Sequence, residues 1–379
     1  MAPVWYNRHR SDNIVPKNST TIYLTLQQLL NMKKKFLLLL LTASAFSYVA
    51  KAQDTVKTTA DAPLVIYGSV DTYYKDDFSG HGNIPTSFAS DNNSISIGMI
   101  DLGLKKSVGN ASFVGELSFG PRSDQSIPTS GYHIQNLYVS YNLTPKLSAT
   151  AGYMATFIGY EVISPAGNFN YSTSYLFTNG PFQNAGFKLT YAFSDKVSLM
   201  AGIFNDQWNV YTSQHDVSTF GAQLTITPVK NWTAYLNVAS GPSSGTEFDL
   251  TTAYQITSAF KLGLNAATFS TSHYGAGFSG VALYPQLAVS KAVTLGIREE
   301  YFKTDNGTPA STYAAAGPLG GGSVLGTTVT ANIKTGPLTF IPEIRFDGVN
   351  NLQYSTFTNS SGAPTKSATQ FVLAAVYAF

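Results

Sequence analysis

The sequence predicts an all-β chain: an antiparallel transmembrane β-barrel, most simply of sixteen strands with short periplasmic turns and long external loops. Three observations predict it. Apolar and polar residues alternate with period two along most of the chain. Short and long connections take turns between the alternating segments. The last segment is apolar on one face and ends on an aromatic residue.

Composition sets the frame. Of the 379 residues only 12% are charged, about half the ~25% of soluble domains. Aromatic residues reach 13%, with 23 Tyr and 24 Phe. There is no Cys, which excludes disulfide scaffolds, thiolate zinc sites and Cys nucleophiles. No stretch reaches the ~20 apolar residues that a membrane helix needs.

The N-terminal region reads as an address. Residues 1–31 carry no export logic and read as a misassigned extension ahead of Met32. Residues 32–52 form a secretory signal peptide. Met32-Lys33-Lys34-Lys35 is its basic start, Phe36 to about Ala45 its apolar run, and Ala50-Lys51-Ala52 its cleavage motif. Residues 53–63 are a polar linker, and residues 64–379 are the barrel. The first 52 residues hold seven of the 23 basic and one of the 21 acidic residues, leaving 16 against 20, a net −4. The mild positive charge thus belongs to the leader and gives no reason to expect a nucleic-acid partner.

The strands follow in order. Phe113, Gly115, Leu117 and Phe119 alternate with Ser112, Val114, Glu116 and Ser118. Leu137, Val139, Tyr141 and Leu143 alternate with Asn136, Tyr138, Ser140 and Asn142. Ala185, Phe187, Leu189, Tyr191 and Phe193 alternate with Lys188 and Thr190. Phe248, Leu250, Thr252 and Tyr254 run opposite Asp249, Thr251 and Gln255. Leu338, Phe340, Ile344 and Phe346 run opposite Thr339, Glu343, Arg345 and Asp347. Each segment has ~10 residues, the length a tilted strand needs to cross a bilayer. Short turns fall near 107–110, 144–146, 194–196, 228–231, 257–258, 290–292 and 334–336. Longer connections fall near 75–92, 120–131, 159–182, 205–216, 241–246, 271–278, 303–322 and 348–368. Seven turns and eight loops join sixteen strands, an even number as expected of outer-membrane barrels.

Closure follows from lipid. Every backbone N–H and C=O in hydrocarbon must be paired within the protein, and a sheet achieves that only by closing on itself. The apolar face then meets lipid and the polar face the lumen. Aromatics near strand ends suit the interfacial girdles: Tyr73, Tyr74, Phe78, Phe119, Tyr132, Phe193, Tyr301, Phe302 and Phe346. A sixteen-stranded barrel leaves an aqueous channel. Glu116, Lys188, Arg298, Glu300, Glu343, Arg345 and Asp347 should then line it. A lipid-facing Arg or Lys would cost up to ~2–4 kcal/mol. Charges on opposite sides of a lumen set ion preference, or pair along the wall and stiffen it. In the final segment Phe371, Leu373, Ala375, Tyr377 and Phe379 share one face. Tyr377 and Phe379 resemble the assembly signal read by the outer-membrane insertion machinery.

One region carries a family resemblance. Gly152-Tyr153, Gly159-Tyr160-Glu161, the run Asn168 to Ser174, and Pro181-Phe182-Gln183-Asn184-Ala185-Gly186 resemble β-barrel porins of the OmpL-like type, common in Bacteroidetes and related bacteria. Members often carry an N-G-W-D-like stretch after the next strand; here Asn205-Asp206-Gln207-Trp208-Asn209 stands in its place. The resemblance implies an outer-membrane barrel and brings no catalytic residues with it. In sixteen-stranded porins the third external loop folds inward and narrows the pore. Residues 159–182 occupy that place, with Glu161, Asn168, Asn170 and Tyr171 as constriction residues.

The function expected is a water-filled channel for passive diffusion of small polar solutes or ions across the outer membrane. The alternatives are a surface adhesion or structural barrel, marked by a plugged lumen, and a barrel enzyme. The enzyme would need a Ser, a His and an acid within hydrogen-bond reach at the rim. His81, His133, His215 and His273 are scattered, and no Walker loop, HExxH or EF-hand is present. The chain is therefore not expected to be an enzyme or to need a cofactor or metal. Expected partners are outer-membrane lipid and lipopolysaccharide, the insertion machinery, small polar solutes and, as one open assembly state, a homotrimer.

Overall fold

The computed structural model describes residues 62–271, 276–305 and 317–379. The proposed extension, leader and linker up to residue 61, and His273, lie outside the described residues. The strands begin with β1 (Val65–Asp77), β2 (Ser94–Val108), β3 (Ala111–Phe119), β4 (Ile134–Thr144) and β5 (Leu147–Ala155). The middle set is β6 (Gln183–Ser194), β7 (Val197–Phe204), β8 (Thr219–Ile226), β9 (Trp232–Gly241), β10 (Gly245–Gln255) and β11 (Phe260–Ser270). Then come β12 (Gly277–Ala288), β13 (Val293–Thr304), β14 (Ser323–Thr335) and β15 (Leu338–Val349). A two-stranded flap, β16 (Phe357–Thr358) and β17 (Pro364–Thr365), precedes β18 (Ser367–Ala378).

Each barrel strand pairs antiparallel with its neighbours, and β1 pairs with both β2 and β18, which closes a sixteen-stranded barrel. The last residue takes part in the closure. Gly68 N–H donates to the Phe379 carbonyl at 3.1 Å, and Phe379 N–H to the Gly68 carbonyl at 3.0 Å. Tyr377 and Phe379 both face outward and are exposed.

Local chemistry explains the turns. Gly109 and Gly336 hold positive φ of 54° and 61° in two-residue connections. A tight hairpin twists with its strands when its turn residues adopt positive φ, which glycine does without a Cβ penalty. The connection from β9 to β10 is only residues 242–244, shorter than the expected 241–246. Two prolines interrupt the ladder. The β12–β13 register stops at Leu283↔Glu299 and resumes at Gln286↔Gly296, around Pro285. The β14–β15 register stops at Thr330↔Glu343 and resumes at Ile333↔Phe340, around Pro342. Proline has no N–H to give.

Outward faces are apolar, as alternation predicts. Phe113, Leu117, Phe119, Phe187, Leu189, Phe248 and Phe346 are exposed, and their neighbours Glu116, Ser118, Asp249 and Asp347 are buried. The expected aromatic girdle needs two corrections. Tyr73 is 3% exposed and Phe302 is fully buried, both inside the barrel. Adjacent strand residues point to opposite faces, so Tyr74 and Tyr301 face outward and their neighbours cannot. The inside is packed. A cluster of Ile84, Tyr175, Leu176, Phe269, Phe278 and Phe302 fills part of the outer half. A second joins Phe88, Met99, Ile163, Phe177 and Phe182. External loops supply Ile84, Phe88 and residues 163–182 to these clusters.

Candidate functional site

The connection between β5 and β6, residues 156–182, turns into the barrel instead of rising above it. Its neck is closed by Thr156 N–H donating to the Phe182 carbonyl at 3.1 Å. A loop placed inside a protein must find partners for its backbone polar groups. Here the barrel wall supplies them.

Three carboxylates take the loop's N–H groups. Glu343 accepts from Tyr171 N at 2.9 Å and Ser172 N at 3.1 Å. Glu300 accepts from Tyr175 N and Leu176 N, both at 2.8 Å. Glu161, in the loop itself, accepts from Ser174 N at 2.8 Å. Tyr175–Asn179 is a one-turn helix, and its first N–H groups lack partners within the helix. Glu300 serves two of them, and the Ser174 hydroxyl, at the N-cap, accepts from Phe177 N at 3.0 Å.

Three arginines take the carbonyls. Arg298 donates to Ser172 O at 2.6 Å and pairs with Glu161 at 2.9 Å. Arg345 donates to Thr173 O at 2.7 Å and clamps Asp347 through two bonds of 2.8 and 2.9 Å. Arg122, on a one-turn helix after β3, donates to Ile163 O at 3.1 Å and Tyr171 O at 3.2 Å. Its guanidinium lies 4.6 Å from the Phe88 ring centroid and 4.8 Å from that of Tyr171. Side-chain bonds complete the seat. Tyr171 OH donates to Asp71, and Tyr175 OH to Asp347 at 2.6 Å. Asn170 donates to Thr330 at 2.7 Å.

The wall also makes room. A Cβ at Gly263 would collide with the Tyr160 ring, and one at Gly296 with the Phe169 ring. Glycine in a strand marks such a close approach. Asn168 does a different job: its side chain accepts from Val162 N at 2.9 Å and donates to Val162 O at 2.7 Å, stapling the turn.

The seven charges expected to line the lumen therefore divide. Arg298, Glu300, Glu343, Arg345 and Asp347 do point inward, but each is at most 2% exposed beneath the loop. Glu116 and Lys188 are on the opposite wall and border a cavity of about 570 Å³ with Lys105, Tyr67 and Tyr138. Glu116 accepts from Asn136 at 2.7 Å and Gln135 at 2.9 Å. A second cavity, of about 650 Å³, lies below the loop between Phe169, Lys261, Gln286 and Lys334. Lys105, Lys261 and Lys334 were not among the expected lining residues. Phase could have found Lys261 and Lys334, each an even number of residues from inward Asn265 and Asn332. Glu299, between two inward residues, points outward and accepts from Thr327 at 2.7 Å.

At the rim one Ser, His and acid do meet. Asp206 accepts from Ser213 Oγ at 2.8 Å and lies 3.0 Å from His215 Nδ1. Its carboxylate also takes the N–H groups of Gln214 and His215. The Ser213 hydroxyl is spent on Asp206 and the Asp216 carbonyl, not on the imidazole. A nucleophile needs its base within reach, and this arrangement organises a loop instead. Among the described residues no group of three or more His, Cys, Asp or Glu is placed to hold a metal.

Residues 63–379 match the family described as "Putative beta-barrel porin-2, OmpL-like". The chain belongs to this porin family. It is an outer-membrane β-barrel porin, and the solved structures agree on the fold. The anion-selective porin of Comamonas acidovorans is 12% identical, with a TM-score of 0.55 over 84% of this porin and 99% of that chain. Pseudomonas putida OprB is 10% identical, with a TM-score of 0.56 over 84% and 94%. Vibrio cholerae OmpT is 12% identical, with a TM-score of 0.53 over 86% and 100%. No curated protein matches the sequence.

Proposed function

We propose that this porin is a restricted channel for passive diffusion of small polar solutes or ions. The observation that carries the reading is the loop 156–182, drawn inside the barrel and fixed to its wall, with cavities of about 650 and 570 Å³ beside it, lined by Lys261, Gln286 and Lys334 and by Glu116 and Lys188. Loop residues Glu161, Asn168, Asn170 and Tyr171 form the constriction, through contacts to the wall and to other residues of the loop. Glu116 and Lys188 supply the lining charge, while the five charges under the loop act by holding it. Purified protein in a planar bilayer should give stepwise conductance. A silent bilayer containing correctly folded barrel would overturn the reading in favour of a non-conducting surface barrel. The apolar clusters that loops build in the outer half favour that second reading.

Export and assembly belong to the same proposal. Residues 32–52 are the cleaved leader, so N-terminal sequencing of the outer-membrane form should begin at Gln53. Tyr377 and Phe379 engage the insertion machinery, with lipid and lipopolysaccharide around the finished barrel. We take a homotrimer as the assembly, since one similar structure is the trimer form of Vibrio cholerae OmpT. Cross-linking in membranes should stop at three chains; a single-chain product would remove the trimer.

A further inference from the structure

Near the outer end of β10 one carboxylate lacks a partner among the described residues. Glu247 is 4% exposed and faces the lumen between the outward residues Thr246 and Phe248. Its carboxylate makes no hydrogen bond or ion pair among the described residues. The charged side chain found to act on it is Asp249, another carboxylate on the same face. Asp249 is itself satisfied, by Asn237 at 2.7 Å, Gly159 N at 3.1 Å and Asn265. A buried charge is costly unless a counter-charge or hydrogen bonds answer it.

Glu247 borders a cavity of about 270 Å³. The cavity lies between the end of the inward loop and the next external connection. Trp208 and Asn209 form one side, Phe182 and Asn179 another, and Phe269 the wall. These positions are fixed. Trp208 Nε1 donates to the Ser244 carbonyl at 3.2 Å. Asn209 Oδ1 accepts from Phe182 N at 2.9 Å and Gln183 N at 2.8 Å. A carboxylate beside an indole and phenyl rings is a setting that favours an organic ammonium ion. The carboxylate meets the N–H donors, and the rings meet both the cation and its alkyl part.

We propose that this cavity is a binding site for a small alkylammonium group, with Glu247 as its counter-ion and Trp208 as its aromatic wall. The site goes beyond the diffusion reading and is read by equilibrium binding, so its failure and that of conduction are separable. In a full-length W5F/W232F background the remaining Trp208 reports on the cavity. Butylammonium chloride should change its fluorescence saturably, while 1-butanol and KCl at matched concentration should not. Glu247→Gln keeps the shape and removes the charge, and should weaken butylammonium by about tenfold or more. An equal response to 1-butanol would make the cavity merely apolar. An equal response to KCl would make it an inorganic cation site. An unchanged affinity in Glu247→Gln, or no saturable response at all, would likewise overturn the proposal. The comparison of butylammonium with 1-butanol needs no variant at position 247, so the test stands even where Glu247→Gln does not fold.

Discussion

The two walls of the lumen carry similar residues and use them differently. On β13 and β15 five charges are sealed beneath the loop, and their polar atoms meet its backbone and side chains. On β3 and β6, Glu116 holds wall side chains and Lys188 has no hydrogen bond or ion pair among the described residues, beside an open cavity. The same period-two pattern placed both sets inside. In the proposed channel, a charge inside the barrel would therefore bear on permeation in two ways. It would act on solutes where it borders a cavity, and on the shape of the passage where a loop covers it.

The strongest break in this comparison should come from Glu300. Glu300→Ala leaves Tyr175 N and Leu176 N unanswered and removes a negative charge from beside Arg298 and Arg345. Losing one partner of a buried charged network costs about 3–5 kcal/mol. Heat denaturation should fall markedly, and any conducting barrel should pass larger currents as the loop loosens. Wild-type conductance and melting would show that Glu300 does not hold the loop.

Gly296→Val tests the same seat without touching a charge. The added side chain meets the Phe169 ring, and overpacking of this kind costs about 1–3 kcal/mol. Conductance should change while ion preference does not; a shift in preference alone would contradict the steric account.

Lys188→Glu addresses the opposite wall. Reversing a charge that borders open lumen should move the reversal potential in a salt gradient toward cations. Its effect on stability should stay within about 0.5 kcal/mol. If Arg345→Gln changes selectivity more than Lys188→Glu without altering conductance, the division between the walls fails.

The smallest effect concerns the rim. Burial acts to raise the Asp206 carboxyl, but bonds from Ser213, His215 and Gln214 outweigh it and hold the group down at about 2. A depressed carboxyl contributes order that is present above its unfolded value near 3.9 and is lost as pH falls through about 2. Proteolysis of the 205–218 loop should therefore accelerate between about pH 4 and pH 2, and Asp206→Asn should flatten that dependence.

Much of the barrel was legible because lipid imposes a simple rule on sequence. Each strand must alternate, each turn must be short on one side, and the chain must close. Phe113, Leu117 and Phe119 against Val114, Glu116 and Ser118 state that rule directly. The site was less legible because its partners are far apart in sequence. Nothing near Glu343 announces Tyr171, and nothing near Arg298 announces Ser172. Strict alternation separates Tyr73 from Tyr74 and Tyr301 from Phe302, so only one of each pair can meet the interface. The same phase puts Glu247 on the inward face with Asp249.

The distance between partners also sets an order of events. The loop leaves the chain after β5, but its bonds to Glu300 and Glu343 span 125 and 172 residues. Half of the barrel can be present with no seat for the loop, because the seat belongs to the last strands. On the proposed reading, the constriction would then be among the final parts to form, once β13 and β15 are in place. If the loop narrows the passage as proposed, a barrel stalled before β13 would lack that restraint, and a truncated chain that still inserts would be expected to leak.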